Sequence, residues 1–332
     1  MKLVTFEGVE GVEIGVLGGD SEIVRLLVGE RMVKGKGSGY FNDMLAFLRG
    51  GVAAREVAAE VVAGVTKGGV AEAVVSLGEV TLLAPVPRPE SIRDCMSFEQ
   101  HIINSIRMVG LGKLGALDEM VERVLGRKWT IAYRANKAWY ERPLYYKSNR
   151  FSVVGTGAEV RIPAGCEQFD YELEWGVFIG KEGRDIPVEK AHEYIGGYTI
   201  FNDFSARDMQ MKEIKGRLGP AKGKDFDTGN VMGPWLVTPD EVAEPYNLRM
   251  TATVNGEEWS RGTTADMGWK FEEMIAYMSR DETLYPGEFI GSGTCSGAVG
   301  KGCGLEMGKF LSRGDEVVLR VEGMGELVNR VV

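Results

Sequence analysis

Glu167-Gln168-Phe169-Asp170-Tyr171-Glu172-Leu173-Glu174-Trp175-Gly176-Val177-Phe178-Ile179-Gly180 alternates charge and bulk as far as Glu174 and is mostly apolar after it. The β-branched and aromatic run Trp175 to Ile179, closed by Gly180 and the polar Lys181-Glu182-Gly183, predicts a strand ending in a turn. Residues two apart in a strand share a face, so Asp170, Glu172 and Glu174 point one way and Phe169, Tyr171 and Leu173 the other. Three like charges on one face repel unless water or a cation lies between them. On a solvated face water suffices. On a buried face the cost of desolvating carboxylates calls for a cation.

Bulk properties narrow the setting. With 332 residues the chain makes one large domain or two ordinary ones. Its 44% hydrophobic and 26% charged content is that of a globular protein. The 39 basic against 48 acidic residues leave a formal charge of −9. That charge argues against nucleic acid or an anionic membrane as the main partner, while a local cation still permits a small anionic substrate. The N-terminus lacks the apolar core of a signal peptide, and no apolar run has the length of a membrane span. The four cysteines, Cys95, Cys166, Cys295 and Cys303, have neither zinc-site spacing nor the density of a disulfide scaffold. They are expected to be reduced thiols in a cytoplasmic protein.

Upstream, short strands are expected at Leu3–Phe6, Val12–Leu17 and Glu22–Leu27, then helical patterning from Asn42 to Val65 and a strand at 79–84. The prolines of Pro85-Val86-Pro87-Arg88-Pro89 stiffen a connector that serves as a domain boundary, separating a small N-terminal α/β domain (1–84) from the rest (85–332). Asp94 to Val109 is expected to be a loop entering a helix. Leu114 to Leu125 has a helical apolar pattern. The aromatic and basic stretch up to Tyr146 suits a lid or dimer contact within an insert at about 101–146. Beyond Val153 strands dominate, with helical stretches at Val188–His192, Ser205–Lys215 and Met267–Met278.

Downstream, Asn202-Asp203 ends a predicted strand just before a helix begins near Ser205. Asp203 there either caps that helix or adds a fourth carboxylate to the acidic face. Arg207 and Gln210 sit one turn apart, on an exposed polar face or facing one ligand. Lys224, flanked by Gly223, can reach the carboxylates or an anionic substrate, though the order Lys224-Asp225 is not that of a nucleotide phosphate loop. Of the two histidines, His192 lies in a polar helix and is expected at the surface, and His101 follows Asp94 by seven residues at a helix start.

Glu172-x-Glu174, Asn202-Asp203 running into Ser205-Ala206-Arg207-Asp208, Gly233-Pro234-Trp235-Leu236, Ser292-Gly293-Thr294 and the ending Gly314-Asp315-Glu316-Val317-Val318 … Glu322-Gly323-Met324-Gly325 resemble the fumarylacetoacetate hydrolase (fumarylacetoacetase) superfamily, in order from about Pro85 to the C-terminus. The resemblance implies an α+β, β-rich fold, a mixed β-roll, usually a homodimer, holding one divalent cation. That cation is usually Mg²⁺ or Mn²⁺ and sometimes Ca²⁺. It implies that Glu172, Glu174 and Asp203 are metal ligands, with Asp94 the fourth and Asp170 one step behind them. An all-oxygen donor set agrees with a hard cation. His101 resembles the family's catalytic histidine, Glu306, twelve residues after Thr294, the glutamate that orients it, and Asn104 their hydrolase-type neighbour. Tyr146 resembles a substrate-contacting tyrosine. Met96 departs from the hydrolases, which carry a substrate-binding tyrosine there, and the insert 110–145 has no counterpart.

The chemistry this implies is hydrolysis of a C–C bond in a β-diketo acid of the fumarylacetoacetate or acylpyruvate kind, such as aromatic catabolism produces. His101, made more basic by Glu306, takes a proton from water. The metal and Lys224 hold the resulting enolate, and Arg207, Gln210 and Thr294 orient the acid group. The same metal site also suits decarboxylation of oxaloacetate or hydration and dehydration of a 2-keto acid. A metal-stabilised dimeric binding protein without turnover is the alternative of another class.

Overall fold

The computed structural model describes residues 1–8, 11–19, 21–217, 219–297 and 300–332. Its centre is the strand Leu173–Ile179, buried along its whole length. It pairs antiparallel with the equally buried Ile195–Asp203 on one side and with Phe289–Gly291 on the other. Such strands are covered on both faces. Trp175, Val177 and Ile179 enter one core with Tyr198, Met250, Phe271 and Leu319. Phe178, on the other face, packs with Phe47, Leu48 and Phe289. Trp175 stacks on Tyr198 at 5.4 Å between ring centroids and meets Phe271 edge-on at 4.8 Å, which fixes the depth of the strand in its core.

These strands belong to a 12-stranded sheet. Its path runs from Val74–Ser76 through Glu22–Arg25, Gly11–Gly18, Lys2–Gly8, Asn230–Val237, Ile195–Asp203, Leu173–Ile179, Phe289–Gly291 and Ile92–Cys95 to Tyr145–Lys147. The strands of 1–84 therefore continue the same sheet, joined where Leu3 pairs with Leu236. The helix Met44–Gly68 covers them with Phe47, Leu48, Ala54, Ala58, Val61 and Val65, the face its periodicity predicts. A second sheet of five strands, Glu257–Thr263, Arg249–Val254, Glu316–Val321, Gly325–Val331 and Glu159–Val160, closes the other side of the core. The protein is thus β-rich with mixed α and β elements. No described helix is long and apolar enough to cross a membrane.

The structure departs from the expected elements at several places, among them the strand expected at 79–84, which is only Thr81–Leu82, and the helix expected from Met267, which starts at Phe271. The strand expected through Leu27 stops at Arg25, and the helix Leu26–Lys34 starts at once. The run Leu26-Leu27-Val28 reads equally well as either element when burial sets neither period. Asp94 and Cys95, expected to open a loop, belong to the fully buried strand Ile92–Cys95, parallel to Phe289–Gly291. Its charge at Arg93 is carried inward by ion pairs to Glu282 and Glu288. The strand expected from Asp170 onward is broken, because Phe169–Asp170 pairs separately with Ser205–Ala206. Consequently the helix expected near Ser205 starts at Arg207, with no side-chain cap, and Asp203 is not its cap.

The insert is helical, with Gly115–Leu125 and Ile131–Ala135 as its regular elements. It is tied to the helix Glu99–Ser105. Arg127 donates to Glu99 Oε2 at 2.7 Å and to Gln100 Oε1 at 2.8 Å, and the indole of Trp139 donates to the Met96 carbonyl.

Candidate metal centre and active site

Register brings the acidic residues together. Leu173 faces Asn202, which places Glu172 and Glu174 beside the end of the strand carrying Asp203. Asp94 lies opposite Gly291, and Gly291 opposite Gly176. Asp94, Glu172, Glu174 and Asp203 are all buried, and each offers an oxygen within 4.8 Å of the others. Asp170 is not among them. It accepts from Arg207 Nε at 2.8 Å and from the amides of Gly304 and Leu305, tying the strand Phe169–Asp170 to the short helix Gly304–Met307.

Some of this buried charge is answered by the protein. Lys224 Nζ lies 2.6 Å from Glu172 Oε2 and also donates to Asp203. Arg207 Nη2 lies 2.8 Å from Glu172 Oε1. The phenol of Tyr146 donates to Asp203, and the amide of Gly293 donates to Glu174 Oε2 at 2.9 Å and Asp94 Oδ1 at 3.2 Å. Gly293 has φ +75°, and a Cβ on it would collide with the Cys95 carbonyl, while a Cβ on Gly291 would collide with the carboxylate of Asp94. Only glycine lets the backbone come this close.

The remainder is unanswered. Glu174 Oε1 and Asp203 Oδ1 are buried without a hydrogen-bond partner. Burial pushes Asp94 up to about 6 and Asp203 up to about 7, and burial with the neighbouring Asp94 and Glu172 charges raises Glu174 well above the usual carboxylate range. Glu172 goes the other way: against the effect of burial, Arg207 and Lys224 hold it well below that range. Buried carboxylates with orphaned oxygens, an all-oxygen donor set and excess negative charge fit a hard divalent cation.

Beside this cluster stands the pair His101 and Glu306. His101 Nδ1 lies 2.7 Å from Glu306 Oε1, and Ser296 Oγ lies 2.8 Å from Glu306 Oε2. Asn104 donates to Glu306 as well, and is itself held by Gln100 Nε2 at 2.8 Å. With Nδ1 as donor to Glu306, Nε2 is left as an acceptor, the arrangement of a general base. Ser296 and Gln100 have no place among the expected site residues. Their spacing to Glu306 and His101 is unremarkable in sequence, and only the fold reveals their contact.

A cavity of about 360 Å³ joins these groups. His101, Tyr146, Glu172, Glu174, Arg207, Gln210, Lys224 and Thr294 all line it, together with Asp94. Arg207 and Gln210 do face the same space, linked by an Nη1 to Oε1 bond of 3.0 Å, but the Arg207 guanidinium is already paired with Asp170 and Glu172. His192 is exposed in the segment Val188–Tyr194.

Comparison with known proteins follows the same lines. The family described as "Fumarylacetoacetate (FAA) hydrolase C-terminal" matches residues 108–332. Among curated proteins, "Oxaloacetate tautomerase FAHD2A, mitochondrial" of Homo sapiens is 35% identical over 256 residues, covering 76% of this chain and 70% of that protein. Its counterpart in Rattus norvegicus is 34% identical over 254 residues, with the same coverage of each chain. Among solved structures, the fumarylacetoacetate hydrolase of psychrophilic Exiguobacterium antarcticum superposes with a TM-score of 0.70 at 24% identity, covering 100% of this chain and 99% of that one. The 5-carboxymethyl-2-hydroxymuconate delta-isomerase of Mycobacterium smegmatis gives 0.67 at 23% identity, with the same coverage. These structures share the fold, and the names across the group span hydrolase, isomerase and tautomerase chemistry. By sequence profile, by relatives and by fold, the chain belongs to the fumarylacetoacetate hydrolase family.

Proposed function

We propose that the protein is a divalent-metal-dependent hydrolase that cleaves the C–C bond of a 2,4-diketo acid. The observation that carries this is the His101–Glu306 pair, at 2.7 Å, whose imidazole lines the same cavity as Asp94, Glu172 and Glu174 of the buried carboxylate cluster. A hard divalent cation, Mg²⁺ or Mn²⁺, held by Asp94, Glu172, Glu174 and Asp203 would supply Lewis acidity toward the substrate's keto oxygens and offset enolate charge.

The protein's own groups do the rest. His101 Nε2 takes a proton from water, and the oxygen of that water bonds to the C4 carbonyl carbon. The C3–C4 bond then breaks, its electron pair passing into the enolate of the 2-keto acid fragment. Protonated His101 returns its proton to C3, so the products are a carboxylic acid and pyruvate or its homologue. Glu306 accepts a hydrogen bond from Nδ1–H throughout and stabilises the imidazolium. Lys224 places its ammonium at the edge of the carboxylates, where enolate charge develops. Gln210 and Thr294 present polar groups to the acid end of the substrate.

A second reading has its own support, because relatives at 34% and 35% identity carry the name oxaloacetate tautomerase. Keto–enol exchange needs His101 to move a proton but no water attack. Incubating the protein with Mg²⁺ or Mn²⁺ and either acetylpyruvate or oxaloacetate, with and without chelator, separates the two. Stoichiometric acetate and pyruvate from acetylpyruvate is the expected result. No cleavage, alongside accelerated enol–keto exchange of oxaloacetate, would replace hydrolysis with tautomerisation.

A further inference from the structure

Two helices form the walls of the cavity, and both change character from its inner to its outer end. On Arg207–Lys215, the residues that line the cavity are Arg207, Gln210, Met211 and Ile214, spaced as one helical face. Arg207 is 2% exposed and paired with carboxylates, while Ile214 is 44% exposed. On the opposite wall, the helix Glu99–Ser105 and its continuation Ile106–Leu111 present His101 first, then Ser105, Ile106 and Val109, with Val109 39% exposed. Met96 and Leu305 complete the apolar lining. Both helices therefore begin with polar groups at the carboxylate cluster and end with hydrocarbon at the mouth.

Charge follows the same division. Among the described residues lining the cavity, the lysine and arginine side chains are Lys224 and Arg207, and both are at the inner end, paired with Glu172. None is at the outer end to meet a second carboxylate on a substrate. A substrate terminus desolvated there gains from apolar surface and loses from charge.

We propose that this cavity selects a keto acid with an apolar tail, a 2-oxo or 2,4-dioxo acid whose acid end lies at the carboxylates and whose alkyl end lies among Met96, Ile106, Val109, Met211, Ile214 and Leu305. The proposal rests on the keto-acid reading above and fixes the substrate class within it. Dicarboxylates such as oxaloacetate are the disfavoured class.

The test is calorimetric binding of non-hydrolysable 2-oxo acids to the full-length Mn²⁺-loaded protein. One series has alkyl ends, from pyruvate through 2-oxobutanoate and 2-oxohexanoate to 2-oxooctanoate. The other has carboxylate ends, 2-oxoglutarate and 2-oxoadipate. Affinity is expected to rise roughly fourfold per buried methylene in the first series. The carboxylate-ended acids are expected to bind more weakly than alkyl-ended acids of equal length. Ile214→Lys, at a partly exposed position that tolerates the change, should reverse that order. Flat affinity along the alkyl series, or tighter binding of the dicarboxylates to the unaltered protein, overturns the proposal. Length-dependent binding without cleavage of any 2,4-dioxo acid keeps the tail site and overturns only the hydrolase reading. No binding of any of these acids overturns both.

Discussion

Nδ1 of His101 lies 2.7 Å from Oε1 of Glu306, across 205 residues of chain. The glutamate is held in turn by Ser296 and Asn104, so the imidazole has one orientation and one tautomer available to it. Among the described residues, neither His101 nor Glu306 shares a hydrogen bond with Asp94, Glu172, Glu174 or Asp203, so the pair and the carboxylate cluster can be altered separately.

Replacing Glu306 by Gln keeps the shape of the side chain and removes the carboxylate that accepts from His101 Nδ1. Turnover of a 2,4-diketo acid should fall by roughly 10²-fold or more, the usual worth of a positioned base. Metal affinity should be unchanged by titration calorimetry. Equal loss of both would mean that Glu306 supports the fold rather than the base.

Glu174 is fully buried, with Oε2 accepting from the Gly293 amide and Oε1 left without a partner that a cation would supply. Glu174→Ala should abolish metal binding and turnover together. With Mn²⁺ at a hundredfold excess over Kd, the unaltered protein gains about 2.7 kcal/mol of stability by mass action. That gain should be seen as a rise in Tm, should be reversed by chelator, and should be absent in the variant. A rise of equal size in the variant would place the cation elsewhere.

In the metal-free protein, burial raises Asp94 to about 6 and Asp203 to about 7. The folded chain then binds more protons than the unfolded one between the ordinary carboxylate pKa, about 4, and pH 7. Stability of the metal-free form should therefore decline as pH rises through that window, because the unfolded state binds fewer protons there. A cation must displace those protons, so its affinity should climb as pH rises through about 6 to 7. Glu172 contributes in the opposite sense and at lower pH, since its carboxylate is held below the usual range. Thermal melts with and without Mn²⁺ across this range, together with metal titrations, check both signs. Metal affinity independent of pH would show that these carboxylates are ionised before the metal arrives.

Gly293 combines φ +75° with a backbone too close to Cys95 for any Cβ. Gly293→Ala should destabilise the protein by at least about 1–3 kcal/mol from backbone strain alone. It should also misplace the amide that holds Glu174 and Asp94. Denaturant unfolding gives the first effect and metal titration the second. An unaltered Cm would show that the segment shifts without cost.

The acidic face was legible in part from Glu172-x-Glu174, while the places of Asp203 and Asp94 beside it came from the family resemblance, since Asp203 alone reads equally as a helix cap. Glu174 and Asp203 are brought together by the pairing of Leu173–Ile179 with Ile195–Asp203. The role suggested for Asp170 as another residue on the same strand face did not survive, because the chain breaks at Tyr171 and Asp170 turns to Arg207. Ile92–Cys95 was hidden for a related reason. A strand with Arg93 and Asp94 at its centre reads as polar loop until the distant Glu282, Glu288 and Gly291 are brought against it. The helix Leu26–Lys34 was missed because a continuous apolar run has no period to distinguish helix from strand. The pairing of His101 with Glu306 came from family resemblance and not from local pattern, since nothing in either segment points to the other.

The amide of Gly293 bridges Glu174 and Asp94, and Glu306 lies beyond it in the chain. During synthesis, then, every acidic side chain of the cluster leaves the ribosome well before the segment that gathers them. A nascent chain therefore carries the four carboxylates before it has the Gly293 amide that holds two of them or the Glu306 carboxylate that holds His101.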